Sequence, residues 1–171
     1  DEDKLLLGTY VEAFIDDPIR KEIGLEKSMG SGFSTVVKNS NGESIGVVSA
    51  RLRPSWMEDG LVEMYSSLSR EGLASARMLI VDKNGKIVLD FEPSQGQGNF
   101  EIDYSKSGKD LDAEYMQAFE GIKEGNASFF EVTSNDGVDR VVGYSSLIYD
   151  VLEDMGWGVV VTADSGELLG Q

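Results

Sequence analysis

The chain has 171 residues and a formal net charge of −16, from 31 acidic against 15 basic side chains. That length holds one domain with a real core, or one domain and part of a second, and that charge repels a phosphate backbone or an anionic membrane surface, so no nucleic-acid partner is expected. Cys and His are both absent, which removes disulfides, thiolate nucleophiles, the commonest general base and the commonest zinc ligand, and with them most familiar enzyme classes.

In chain order, residues 4–15, "KLLLGTYVEAFI", place Leu7, Tyr10, Val11 and Phe14 at i, i+3, i+4 and i+7, the spacing of one apolar helical stripe. "DDPIRKEIG" restarts a short helix, with Asp17 as cap and Pro18 in its first position. "FSTVVKNSNGESIGVVSARL" reads as two β-branched strands turning at Asn41-Gly42. Leu61, Met64, Tyr65 and Leu68 then define a second amphipathic helix over 58–69 that stops at Gly72.

"VDKNGKIVLD", residues 81–90, raises the question of a metal loop. Its Gly comes at the wrong position for an EF-hand and strand residues stand where ligands belong, so Asn84-Gly85 is predicted to turn a hairpin. "KNSNGES" and "TSNDGVD" follow the same logic, and no metal or other cofactor is expected. The stretch after Glu92, rich in Gly and Ser, is too long for a simple connection and reads as a binding loop or lid, with a surface excursion as the alternative. Leu111, Tyr115, Ala118, Phe119 and Ile122 form a third helical stripe, capped by Asp110 and ended by Gly125. "ASFFEVTS", "DRVVGYSSLIY" and "GWGVVVTA" are three further strands, with Trp157 assigned to the core.

From residue 73 the order is strand, strand, helix, strand, strand, strand, which implies an α+β domain built on a five-stranded antiparallel sheet. Residues 1–72 read as helix–hairpin–helix, with too few strands to close a sheet of their own. No run approaches the ~20 apolar residues of a membrane span, and "DEDKLLLGTY" lacks the basic start of a signal peptide.

The only groups left for catalysis are carboxylates, hydroxyls, Lys and Arg. Asp110 and Asp112 diverge around a helix rather than converge, and Ser145-Ser146 lies in a strand without a partner base. Binding is the better use of this chemistry. Tyr104, Tyr115, Phe129 and Tyr144 fall on the long loop, the next helix and the two strands behind it, where rings share a cavity if the loop folds over the sheet. Alternation places Arg140, Val142, Tyr144, Ser146 and Ile148 on one strand face.

"ARMLIVDKNGKIVLDF", "AEYMQAFEGIKEGNASFFEV" and "VVGYSSLIYDVLEDMGWGVVVTAD" together resemble the Cache family, PAS-like extracytoplasmic sensor domains of bacterial and archaeal chemoreceptors and sensor kinases. The resemblance covers residues 73–169. The upstream "VVKNSNGESIGVVSARL" and its helix resemble the end of a membrane-distal module and its linker in double-Cache sensors. It implies that 73–171 is a non-enzymatic sensor module preceded by a reduced membrane-distal module or flank, 1–72. It also implies a small-molecule pocket on the sheet, flanking transmembrane helices and a homodimeric receptor.

Amino-acid-sensing members carry an Arg shortly before a Trp-Tyr pair and an Asp late in a strand. Here Tyr115 matches, but Asp112 is nearest the Arg position, Glu114 stands for the Trp, and the Asp position in the upstream hairpin falls near Arg51. An acid among aromatic rings suits an amine or another cation. The expected ligand residues are Tyr104, Asp112, Tyr115, Phe129, Arg140 and Tyr144. The alternative is a PAS-like protein–protein module, without ligand, that pairs through the helix 58–69.

Overall fold

The protein is described by a computed structural model that covers residues 5–6, 9–11, 15–16, 22, 29–52, 55–92, 102, 104–147 and 155–170. The chain divides into two compact units, Asp1–Trp56 and Met57–Gln171.

The N-terminal unit departs from the sequence reading. Its short strands β1 (Leu5–Leu6), β2 (Thr9–Val11) and β3 (Ile15–Asp16) join β4 (Met29–Lys38) and β5 (Ser44–Leu52) in a five-stranded antiparallel sheet. Tyr10 and Val11 therefore lie in a strand, paired with Ser34 and Phe33 of β4, rather than in a helix. A Thr-Tyr-Val run is as good a strand as a helix, and pairing with β4 decides between them. The segment also has strands enough for a sheet, because two-residue and three-residue strands leave no alternation long enough to read. Leu7, Phe14 and nearly all of the short helix expected after Asp17 lie outside the described residues. The β4–β5 hairpin forms as expected, turning through Asn39–Glu43 with Gly42 at φ +83°.

Helix α1 (Ser55–Arg70) crosses the boundary, lies from Met57 onward in the C-terminal unit, and ends before Gly72 at φ +90°. The sheet of that unit comprises β6 (Arg77–Val81), β7 (Ile87–Phe91), β8 (Ala127–Thr133), β9 (Asp139–Ser146) and β10 (Gly158–Asp164). All pairs are antiparallel and the spatial order is β7-β6-β10-β9-β8. Helix α2 (Met116–Lys123) and helix α3 (Ser165–Leu169) complete the unit. This is the α+β sheet expected from strand order.

The first two strands are buried on both faces, which explains why their sequence is nearly continuous in apolar residues. On one face Tyr65 of α1 meets Phe91 of β7 edge-on, ring centroids 5.8 Å apart. On the other, Leu79, Val81, Val142 and Val160 pack against Tyr115, Ala118, Phe119 and Ile122. The third stripe thus buries the expected residues, although it opens with a 3₁₀ turn, Ala113–Tyr115, before becoming α-helical.

Asp82 forms the expected hairpin turn between β6 and β7. Its Oδ1 accepts the backbone N–H of Asn84 at 2.8 Å and of Lys86 at 2.9 Å, closing the turn on itself while Gly85 takes φ +74°. Asp110 does not cap the next helix. It forms an ion pair with Lys86 Nζ at 2.6 Å, and Asp112 stands at the cap position without a capping bond from its side chain.

Candidate ligand cleft

Cross-strand register carries the α2-covered face of the sheet from apolar to charged. Val160 pairs with Leu79 and Tyr144, and this row lies in the core. The next row runs Arg77, Thr162, Val142 and Phe130, and the last runs Asp164, Arg140 and Val132. Alternation on β6, β9 and β10 thus delivers two arginines and an aspartate to the sheet end that α2 leaves uncovered.

The return of the long loop supplies the opposite wall. Gly108 N–H donates to Ile87 O at 2.7 Å, Ile87 N–H to Lys109 O and Leu111 N–H to Gly85 O, both at 2.9 Å. These bonds lay residues 107–111 along β7. The turn just before them, Tyr104–Lys106, brings Lys106 Nζ to within 2.7 Å of Asp90.

Between these walls lies a cleft of about 450 Å³. Its described lining includes Asp112, Glu114 and Tyr115 from the helix start, Ser134, Asn135 and Asp136 from the β8–β9 turn, and Ser75, Arg77, Glu92, Lys106, Arg140, Thr162 and Asp164 around them. No aliphatic side chain and only one ring, Tyr115, is among them.

Electrostatics holds the cleft in shape. Arg77 donates through Nε and NH2 to the two Asp90 oxygens at 2.9 and 2.8 Å, a bidentate pair at which the Asp90 side chain is 3% exposed. Burial by itself pushes the Asp90 carboxyl up, but the hydrogen bonds from Arg77 and Lys106 outweigh it and hold the group below its ordinary value. Arg140 forks onto Asp136 at 2.8 and 3.3 Å and reaches Asp164 at 3.3 Å. Asp136 is lowered first by the Val138 N–H and then by Arg140. The Tyr115 hydroxyl is pushed up to about 12, by burial and by its hydrogen bond to Glu114, while Arg77 pulls the other way. Glu114 also accepts the Asn135 N–H at 3.1 Å, which fastens the β8–β9 turn to the helix start.

Of the six side chains expected at the site, Asp112, Tyr115 and Arg140 meet at the cleft. The other three are placed elsewhere. Phe129 alternates onto the opposite sheet face and is 73% exposed. Tyr144 packs into the core with Phe130, ring centroids 6.4 Å apart, beneath Gly121, where a Cβ would come within 2.3 Å of its ring. The Tyr104 hydroxyl donates to Glu58 on α1. Sequence reasoning missed Arg77, Lys106, Ser134 and Asp164. The period-2 alternation that singled out Arg140 applies equally to Arg77 and Asp164, whereas nothing local identifies Lys106 or Ser134.

No protein-family model matches the chain, and no curated protein does. Solved structures do. The periplasmic sensory domain of the Campylobacter jejuni chemoreceptor Tlp1 is similar at a TM-score of 0.62 and 15% identity, over 94% of this chain and 50% of that one. The extracellular domains of rpHK1S-Z16 and soHK1S-Z6, each named as a histidine kinase, are similar at TM-scores of 0.58. Their identities are 12% and 15%, over 94% and 99% of this chain and 55% and 54% of theirs. The chain thus spans about half the length of the sensory domains it matches, and at these identities the likeness is one of fold. The antiparallel order and these matches together show that the chain shares the fold of these solved domains.

Proposed function

We propose that the chain is part of the extracytoplasmic sensory region of a transmembrane signalling receptor, of the chemotaxis or histidine-kinase kind. It binds a small molecule in the cleft at the charged end of the C-terminal sheet and catalyses nothing itself. The N-terminal unit is read as a reduced membrane-distal module. The observation that carries this reading is the cleft: in a sensor fold, polar side chains from the sheet, the loop return, the helix start and the β8–β9 turn converge on one hollow. Occupancy acts by favouring one of two arrangements of the flanking elements, which requires the ligand to bind one better than the other.

A thermal-shift screen of the chain against a few hundred metabolites tests it. A ligand at a hundred times its Kd adds about 2.7 kcal/mol to folded-state stability, a rise of roughly 5–10 °C in Tm. A hit that Asp112→Ala abolishes supports the reading, and a screen with no hit sinks it. One observation favours the other reading, a ligand-free interaction module. The space between α2 and the sheet, where the sensor resemblance puts a pocket, is filled by Tyr115, Phe119, Phe130 and Tyr144.

A further inference from the structure

Resting on the sensor reading, we propose that the cleft takes a small cation bearing N–H donors, a primary amine or a guanidinium, in preference to an anion or a quaternary ammonium. The first observation is charge. Among the described lining, Glu92, Asp112, Glu114, Asp136 and Asp164 face only Arg77, Lys106 and Arg140, an excess of two negative charges. All three basic groups are engaged by carboxylates at hydrogen-bond distance: Arg77 and Lys106 by Asp90, and Arg140 by Asp136. An anion would have to share them with carboxylates already in place. Asp112, by contrast, has a side chain 54% exposed, and its contact with Arg77 is 3.9 Å, beyond hydrogen-bond length.

The second observation is an unpaired buried hydroxyl. Ser134 is 5% exposed, lines the cleft, and its Oγ has no hydrogen-bond partner among the described residues. It precedes Asn135, whose N–H is already held by Glu114. Burying a hydroxyl unpaired costs free energy that a ligand N–H at this point recovers. A carboxylate and a hydroxyl on neighbouring turns are acceptors with direction, suited to a cation whose hydrogens point.

The third observation separates N–H cations from quaternary ones. Recognition of a quaternary ammonium relies on a cage of ring faces. Among the described lining Tyr115 is the one ring, and the Arg77 guanidinium already stands 5.8 Å from its centroid. Of the four rings expected from the sequence to share a cavity, Tyr104, Phe129 and Tyr144 are placed elsewhere. What attracts the cation is carboxylate and hydroxyl oxygen.

The test uses the full chain and three probes: 1,4-diaminobutane, its fully N-methylated analogue and succinate. Amide chemical shifts are followed by NMR. The diamine is expected to move the Ser134 and Asn135 resonances and to bind roughly tenfold more tightly than the methylated analogue, the loss expected when charge-assisted hydrogen bonds are removed. Ser134→Ala deletes an unpaired group, so it leaves folding intact while weakening the diamine several-fold. Asp112→Asn also weakens it.

Equal binding of the diamine and its methylated analogue overturns the proposal, as does tighter binding of succinate or no binding of any probe. Succinate in the cleft would leave the sensor reading standing and remove only the cation. A metabolite screen without a single hit removes the sensor reading itself.

Discussion

Asp90 shows at a single residue how the cleft is held. Its nearly buried carboxylate takes both Arg77 and Lys106. Replacing it by Asn leaves two cations facing a neutral amide, and is expected to cost about 3 kcal/mol by urea unfolding at neutral pH. Because the native carboxyl sits below its ordinary value of 3.8, its stabilisation is present above that value and is lost as pH falls through the native one. Acid unfolding below about pH 4 is therefore expected to be steeper in the parent chain than in Asp90→Asn. Tyr115 works in the opposite sense. With its hydroxyl pushed from 10.0 to about 12, its contribution is complete below pH 10 and lost as pH rises from there to the native value. A tyrosinate absorbance titration is expected to show one late-ionising ring that Tyr115→Phe removes. Gly121 marks the tightest packing: Gly121→Ala drives a Cβ to within 2.3 Å of the Tyr144 ring, and is expected to cost about 1–3 kcal/mol in chemical denaturation.

At the scale of elements, the cleft is joined to the C-terminal helix through Ser75. Its N–H donates to both Glu167 oxygens at 3.1 Å and its hydroxyl to one of them at 2.7 Å, while that same hydroxyl accepts the Asp164 N–H at 2.8 Å. Helix α3 buries no side chain, so this clamp supplements its contacts with β9 and β10. Glu167→Gln is expected to cost about 1 kcal/mol and to raise hydrogen exchange at the Ser75 amide several-fold. Unchanged exchange would show that the clamp does not hold. The turns were legible because Asn-Gly and Asp-Gly fix their own φ: Gly42, Gly85 and Gly137 lie at +83°, +74° and +81°. The strands β1–β3 were not, since two or three residues carry no period, and only pairing selects them: β2 and β3 on β4, and β1 on β2.

Across the whole molecule, net charge opposes compaction. The exposed pairs Lys86–Asp110 and Lys123–Glu120 offset little of the −16. Raising ionic strength from about 0.01 to 0.15 M shortens the Debye length from roughly 30 to 8 Å and is expected to raise Tm by a few degrees. A fall in Tm would mean that ion pairs outweigh self-repulsion.

The sequence by itself determined the C-terminal sheet, its hairpins, helices α1 and α2 and the burial of Trp157, because apolar period, turn residues and strand order are local properties of the chain; helix α3 was not read from it. It determined the site only in part. Of the cleft lining, Tyr115 follows from the stripe of one helix, Arg140 from alternation along one strand, and Asp112 only from the family resemblance. Which described rings face the cleft, that Lys106 reaches Asp90, and that the Ser134 hydroxyl is buried without a partner among the described residues are decided by register between strands and by the return of a loop along β7. Tertiary structure alone sets those distances, since they join residues far apart in sequence whose mutual placement no local pattern encodes.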